Sequence, residues 1–324
     1  GTLSIADCVT DSMYKPSMLN AEAIQEPTLT SADLHVHSGV LRATNFILSD
    51  LNGHRILEQT ILGETPTATS SPIPSSAADC KGWDLVLTGH SLGAGVAAVL
   101  SLHLRKQFPN LKVWCIEPPG GVLSPKLSEI TKAWTYSTVH HCDLFCRLSG
   151  PVLLKLRNDM MDALTHSKLN KFSLLMRMTF RGNKLQTSDV LDEDSPATES
   201  TTLREDYKRF AEAQVTATPM MAAELHPPGQ LIHLLRLPDG SYAPRLVEAR
   251  ELMNRGMMIQ HRFFSDHFPD KVASVLSDLA TAGTEAAQSI TSVRTPADVP
   301  VQESIVDKLV HSSSMDRHRR TGDV

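Results

Sequence analysis

The sequence has little cysteine and no excess of basic residues. Its 324 residues include five cysteines, too few to hold a chain of this length together as a disulfide framework. Cys142 and Cys146 are not spaced like a zinc-binding pair, and no second cysteine or histidine pair completes such a site. The net charge of −5 argues against a nucleic-acid-binding surface. These shortages exclude a disulfide scaffold and argue against structural zinc and nucleic-acid partners.

Long hydrophobic runs are also missing. The most apolar stretch, residues 85–104, contains His90, Ser91 and His103 and is a poor membrane span. The chain begins with Gly1 and shows no signal peptide, so we expect a fragment or a processed form, with any membrane-spanning segment upstream. Hydrophobic residues make up 41% of the chain and charged residues 21%, which suits a packed core. The length allows one large α/β domain with appendages or two small domains.

Apolar segments of two kinds alternate along the chain. Short apolar runs bounded by glycine or proline indicate strands, and apolar residues near 3.6-residue spacing indicate helices. The predicted strands are residues 83–88, 112–116, 133–139 and 231–237. The predicted helices are residues 36–62, 94–108, 152–180 and 266–279. Strand–helix–strand alternation predicts an α/β fold with a mostly parallel sheet.

Three polar segments interrupt this pattern. Residues 64–82 are rich in Ser, Thr, Pro and Ala and predict a surface loop. Residues 183–214 carry eight acidic against four basic residues and predict a flexible insertion before the last predicted strand. After residue 280, Ser, Thr, Ala and charged residues dominate, and we expect residues 280–324 to form a disordered tail.

One motif carries the chemistry: residues 89–93 read GHSLG, a G-x-S-x-G sequence between a predicted strand and a predicted helix. A sharp strand-to-helix turn needs small residues beside the nucleophile, and Gly89 and Gly93 flank Ser91 together with the elbow residue His90. The turn places Ser91 at the positive end of the following helix, which favours a developing oxyanion. The backbone N–H of Leu92 is the predicted oxyanion donor.

A serine nucleophile needs a base and a carboxylate that orients the base. In this type of fold the chain order is Ser, then Asp or Glu, then His, and Asp143 follows a predicted strand in that order. Its rivals, Asp159 and Asp162, lie in helix-like sequence. For the base, His267 is the first candidate and His261 the second.

Other histidines fit the role of base less well. His233 lies inside a predicted strand, and His140 and His141 come too close to the end of another, where turn residues are expected.

Four stretches of the chain bring a known family into view. They are residues 1–11 (GTLSIADCVTD), residues 86–98 (VLTGHSLGAGVAA), residues 118–148 with PPGGVLS at their start, and the C-terminal pieces 227–233 (PPGQLIH) and 266–272 (DHFPDKV). In this order they resemble the class 3 (fungal-type) lipases, and within them the sn-1-specific diacylglycerol lipases. Glu117 departs from the family pattern, in which a small polar or aromatic residue is usual.

The resemblance implies a fold and a set of roles. It implies an α/β-hydrolase domain over residues 1–279, without its N-terminal strand, and a regulatory insertion at 183–226 that we treat as a candidate lid. It implies Ser91 as nucleophile, Asp143 as orienting acid and His267 as base. Thr2 would supply a second oxyanion donor beside Leu92.

The resemblance also implies an activity. Hydrolysis of the sn-1 ester of diacylglycerol through an acyl-enzyme would give a 2-monoacylglycerol and a fatty acid. A triacylglycerol lipase, a phospholipase A1 and a catalytically inactive lipase-like scaffold remain alternatives. No metal or other cofactor is expected; calcium is linked with the family, but the sequence shows no calcium site.

A membrane setting follows from the same resemblance. We expect a membrane-associated protein with a cytoplasmic catalytic domain that acts at a lipid surface. The basic stretch 168–181 is interpreted either as a helix that leans on an anionic membrane or as a core helix with a solvated basic face.

Overall fold

The computed structural model describes residues 16–20, 24, 29–64, 80–165, 224–256 and 262–292. Several predictions lie outside these residues. They are the oxyanion role of Thr2, the alternative base His261, most of the loop 64–82, the basic stretch 168–181, nearly all of the insertion 183–226 and the tail beyond residue 292.

The strands of the described residues form a two-stranded and a five-stranded sheet. Strands β1 (Pro16–Met18) and β2 (His35–His37) pair antiparallel. The larger sheet has the order β3-β4-β5-β6-β7. Its strands are β3 (Val86–His90), β4 (Lys112–Ile116), β5 (Thr135–His140), β6 (Gln230–Arg236) and β7 (Tyr242–Val247). Strands β3 to β6 are parallel and β7 is antiparallel, which confirms the predicted mostly parallel sheet.

Seven α-helices occur among the described residues. They are α1 (Ser38–Gly53), α2 (Ile56–Thr60), α3 (Leu92–Leu104), α4 (Pro125–Thr131), α5 (Gly150–Thr165), α6 (Ala249–Asn254) and α7 (Pro269–Ser292). Helix α3 is apolar on nearly all sides and almost entirely buried, as expected for a helix enclosed on every face. It packs on β3, β4 and α1, so it forms the centre of the core and holds the end of β3 in place.

The structure corrects three of the predicted elements. The helix predicted over 36–62 begins at Ser38 and is interrupted at Arg55, whose left-handed conformation (φ 50°) separates α1 from α2. An antiparallel strand, β7, follows the strand predicted to be the last. Helix α7 continues to Ser292, so residues 280–292 are helical rather than part of a disordered tail.

The described residues up to Pro269 form one compact unit and those from Asp270 to Ser292 belong to a second. The expected domain end at residue 279 stays a prediction. No helix among the described residues combines the length and apolar character that crossing a membrane requires.

Candidate active site

The G-x-S-x-G motif forms a sharp turn at the carboxyl end of β3. Ser91 lies between β3 and α3 with φ 55° and ψ −124°, a backbone conformation that L-residues rarely adopt. The Ser91 N–H donates to the carbonyl of Ile116 at the end of β4 (2.9 Å), which fixes the turn against the sheet. Tertiary structure thus holds a strained serine at the sheet edge, as a nucleophile elbow requires.

The two glycines of the motif have different roles. A Cβ built on Gly89 would lie 2.3 Å from the carbonyl oxygen of Gly93, whereas a Cβ on Gly93 would meet nothing within 4 Å. The clearance predicted from both glycines is therefore required at Gly89, and Gly93 contributes the backbone that approaches it.

We expect Gly89→Ala to destabilise the fold and Gly93→Ala to leave it intact. The first substitution forces Cβ into backbone, at a cost of roughly 3 kcal/mol. The second adds a methyl group in open space near a helix N-terminus, where alanine costs nothing relative to glycine. Urea unfolding measures both. A Gly89→Ala protein as stable as the Gly93→Ala control would contradict the close approach.

Three of the predicted residues meet at this turn. His267 Nε2 lies 2.8 Å from Ser91 Oγ, and His267 Nδ1 lies 2.8 Å from Asp143 Oδ2. All three side chains are buried. The Ser91 hydroxyl can donate to Nε2 while Nδ1–H donates to the Asp143 carboxylate, and this chain of hydrogen bonds suits transfer of the serine proton to the imidazole.

Asp143 is fixed and charged. It lies in the loop after β5, and its Oδ1 accepts a hydrogen bond from the N–H of Phe145 (2.7 Å). Burial alone would raise the pKa of Asp143, but hydrogen bonds from Glu117 and His267 outweigh burial and lower it. Asp143 is therefore an anion that can stabilise a positive charge on His267.

His267 contacts the aromatic ring of Phe145 and is hydrogen-bonded to a second histidine, His90. It ends a short 3₁₀ helix, Ser265–His267, and its ring lies 4.3 Å from that of Phe145. Its carbonyl oxygen accepts a hydrogen bond from Nε2 of His90 (2.8 Å), and burial is the main cause that lowers the pKa of His90. A neutral His90 thus links the loop that carries His267 to β3 through this hydrogen bond. The sequence had indicated His90 only as a residue of the nucleophile elbow.

Leu92 begins α3, so its N–H has no acceptor within the helix. It is available to an oxyanion at the positive end of the helix dipole. The second predicted donor, Thr2, lies outside the described residues.

The rival residues lie elsewhere. His233 is in β6 and bonds through Nε2 to the carbonyl of His141 (2.7 Å). His140 ends β5, and its Nδ1 bonds to the carbonyl of Asp266 (3.0 Å). Asp159 and Asp162 fall in α5, at positions whose side chains are not described. Among the described residues, the structure brings only His267 to Ser91 and Asp143.

Sequence reasoning missed the role of Glu117. This residue follows β4 with a positive φ (48°) and is fully buried. Its Oε2 accepts from the His140 N–H (3.0 Å) and from the Cys146 thiol (3.3 Å). The sequence offered one signal, which was that a glutamate stands at position 117 where the family usually has a small polar or aromatic residue. That signal did not indicate that His140 and Cys146 would be its hydrogen-bond partners.

Glu117, Asp143 and Cys146 are close enough to suggest a metal site, but their chemistry does not fit one. Burial, followed by the two carboxyl groups, raises the pKa of Cys146 well above its ordinary value, so the sulfur is a protonated thiol. The one proton of the thiol lies between the two carboxyl groups, with the sulfur 3.2 Å from Asp143 Oδ2 and 3.3 Å from Glu117 Oε2, whereas a metal ligand must be a thiolate. In addition, Asp143 Oδ2 already accepts from His267. This cluster is a hydrogen-bond network.

The sequence is similar to a known family and to named proteins. Residues 1–151 match the family described as Lipase (class 3). Diacylglycerol lipase-alpha of Mus musculus is 30% identical over 235 residues, which cover 72% of this chain and 20% of that protein. Diacylglycerol lipase-beta of Mus musculus is 30% identical over 183 residues, covering 56% of this chain and 24% of that protein. The match therefore spans about a fifth to a quarter of these relatives.

Solved structures were compared as well. That of an MDLA mutant from Penicillium cyclopium is 15% identical, and the match covers 82% of this chain and 66% of that one with a TM-score of 0.40.

Proposed function

We propose that the protein is a serine lipase of the class 3 family, whose model its residues 1–151 match. Its proposed reaction is hydrolysis of the sn-1 ester of diacylglycerol. The observation that carries the proposal is the unbroken set of hydrogen bonds from Ser91 through His267 to Asp143, each 2.8 Å long. A lipase-like scaffold without activity has no need of that set.

The first half of the reaction forms an acyl-enzyme. As Ser91 Oγ attacks the ester carbonyl, His267 Nε2 accepts the hydroxyl proton, and Asp143 stabilises the imidazolium. The carbonyl oxygen becomes an oxyanion, which the Leu92 N–H binds at the start of α3. His267 then gives its proton to the leaving glycerol oxygen, and a monoacylglycerol departs.

The second half releases the fatty acid. Water gives a proton to His267 Nε2 as its oxygen attacks the acyl carbon, and the tetrahedral intermediate collapses with return of that proton to Ser91 Oγ. The acid formed is a carboxylate at neutral pH. Nucleophile, base and oxyanion donor all come from the protein, so this chemistry requires no metal or organic cofactor.

The choice of diacylglycerol rests on the relatives. The two mouse proteins reported above are named diacylglycerol lipases, and the matched stretch of this chain includes the part of the sheet that carries Ser91. Attack at the sn-1 position follows the family resemblance found in the sequence.

A substrate panel tests this choice. We expect kcat/KM for a 1,2-diacylglycerol to exceed that for a triacylglycerol and a phospholipid by about tenfold or more, since the polar headgroup and third acyl chain must fit the same pocket. With different acyl chains at sn-1 and sn-2, the expected products are the sn-1 fatty acid and the 2-monoacylglycerol. Preference for phospholipid, or release of the sn-2 acid, would contradict the assignment.

The proposed substrate is a lipid, so we further propose that the protein works at a membrane surface with its catalytic domain on the cytoplasmic side. Co-sedimentation with diacylglycerol-containing liposomes measures the association. Protein that remains in the supernatant would contradict it.

A further inference from the structure

Glu117 brings a second carboxyl group to Asp143. Glu117 directly follows β4 and Asp143 lies in the loop after β5, so the parallel pairing of these strands places both at the same edge of the sheet. Both side chains are fully buried, one oxygen of each lies within 4.8 Å of the other, and both contact the Cys146 sulfur. The triad chemistry described above uses only one of them.

The donors around the pair are too few for two carboxylates. Oδ1 and Oδ2 of Asp143 accept from Phe145 N–H and His267 Nδ1–H, and Glu117 Oε2 accepts from His140 N–H. The Cys146 thiol has one proton for both groups, with its sulfur 3.2 Å from Asp143 Oδ2 and 3.3 Å from Glu117 Oε2. Glu117 Oε1 is buried and accepts from no described donor. Two ionised carboxyl groups cannot donate to each other, so a hydrogen bond between Glu117 and Asp143 requires a proton on one of them.

The charged and titratable groups around Glu117 and Asp143 also favour a proton on one of the two carboxyl groups. Asp143 and the Cys146 thiol face Glu117 from the loop after β5, His140 presents its N–H, and His267 lies beyond Asp143. Arg147 donates its hydrogen bonds to the carbonyls of His141 and Leu252, and to neither carboxyl group of the pair. Arg147 acts on Asp143 through its charge without a hydrogen bond to it, and two buried anions side by side with no cation bonded to either are strongly disfavoured.

The proton belongs on Glu117. Asp143 accepts from His267 and from a backbone N–H, which stabilises its ionised form, whereas Glu117 has an oxygen without a donor. Burial, then hydrogen bonding to Asp143 and its charge, raises the pKa of Glu117 well above the ordinary value, while the pKa of Asp143 is lowered. In other proteins, two carboxyl groups that share one site also show one raised pKa and one that stays low.

We propose that Glu117 is a positioning residue: a neutral carboxylic acid that donates its proton in a hydrogen bond to Asp143 and so fixes the carboxylate that orients His267. The proposal rests on the function proposed above. It adds a fourth member, which touches neither substrate nor Ser91, to the catalytic network.

The proposal predicts a dependence of stability on pH. Above the unfolded-state value of about 4.5, the unfolded chain releases the Glu117 proton and the folded protein keeps it. Folding therefore takes up a proton, and stability falls as pH rises until the folded group also ionises. Asp143 acts oppositely and at lower pH, because its pKa is lowered from 3.8 and its contribution is lost as pH falls.

Two variants test the proposal. Glu117→Gln keeps a neutral side chain that can donate to Asp143 and accept from His140. Glu117→Leu has similar size and cannot do either. We expect Gln to retain kcat within about threefold, with the acid limb of the pH–rate profile unmoved. We expect Leu to lower kcat about 10- to 100-fold at similar KM, as losses of supporting hydrogen bonds do. A soluble ester substrate serves for both.

The pH dependence of the free energy of unfolding, measured in urea, gives the number of protons taken up on folding. Between pH 5 and 7, the parent should lose stability with rising pH relative to Glu117→Gln, with a slope difference of about one proton. Exposed Glu129→Gln, the matched control, should have the parent's slope.

Each contrary result overturns the proposal in its own way. A Gln variant whose acid limb moves to lower pH by about one unit, or whose unfolding slope equals the parent's, shows that Glu117 is an anion. A folded Leu variant with parental kcat shows that Glu117 positions nothing. If the Glu117→Leu variant fails to fold, the pH–rate profile of Glu117→Gln and the pH dependence of its unfolding free energy decide the question. A parent protein that hydrolyses no ester instead refutes the proposed function. The difference in the pH dependence of unfolding between the parent and Glu117→Gln then still shows whether Glu117 is protonated.

Discussion

Ser91→Ala is expected to lower the hydrolysis of diacylglycerol by about 10⁴-fold or more, because Ser91 Oγ is the nucleophile on which the acyl-enzyme depends. The folded structure should survive this change. The hydroxyl contributes one hydrogen bond to His267, and alanine suffers no more strain than serine at this positive φ. The measurement is the rate of fatty-acid release from diacylglycerol in mixed micelles, together with urea unfolding of both proteins.

The control for this substitution is Ser241→Ala. Ser241 is exposed in the turn between β6 and β7, where its hydroxyl bonds to Asp239, and its loss should leave the rate unchanged. A Ser91→Ala protein that is folded and retains a rate near that of the control would remove Ser91 from the mechanism.

Asp143→Asn is expected to reduce kcat by about 10³- to 10⁴-fold. The carboxylate accepts Nδ1–H of His267 and thereby leaves Nε2 free to take the serine proton. An asparagine NH₂ group turned toward Nδ1 would favour the other tautomer, in which Nε2 carries a proton and cannot act as a base. The amide also removes the negative charge that stabilises the imidazolium.

The informative readout for this variant is the pH–rate profile. The residual activity of Asp143→Asn should rise with pH, as the solvent supplies the base that His267 no longer provides. Asp50→Asn, on the exposed end of α1, is the matched control and should show the parent's profile. A folded Asp143→Asn protein with parental kcat and profile would show that another group orients His267.

The parallel part of the sheet could be predicted because its physical cause is local. Strands β3 and β4 are short apolar runs bounded by glycine or proline, and the apolar helix between them leaves few ways to connect them. Strand β7 could not be predicted, because it is an edge strand with exposed Arg245 and with Pro244 inside it, and neither signals a strand. The break at Arg55 was missed because a left-handed arginine leaves no sign in the sequence.

The site was predictable to a similar extent. Ser91 could be identified because a strained elbow demands small residues around it. Asp143 and His267 are far apart in sequence, and their placement came from chain order and from the family resemblance. In the structure His267 lies within hydrogen-bonding distance of both Ser91 and Asp143, and their catalytic roles stay predictions.

The contact of Glu117 with Asp143 depends on the register of β4 against β5 and on shared burial, and neither can be derived from the residues alone. The role of Thr2 stays a prediction.

The most direct test of the Ser91–His267–Asp143 mechanism is reaction of the protein with a fluorophosphonate, followed by mass-spectrometric mapping of the phosphonylated residue. We expect a single adduct on Ser91, formed about 10³-fold or more slowly when His267 is replaced by alanine, because the reagent reacts only with an activated serine. An adduct on a different residue, or a parent protein that does not react while folded, would contradict the mechanism.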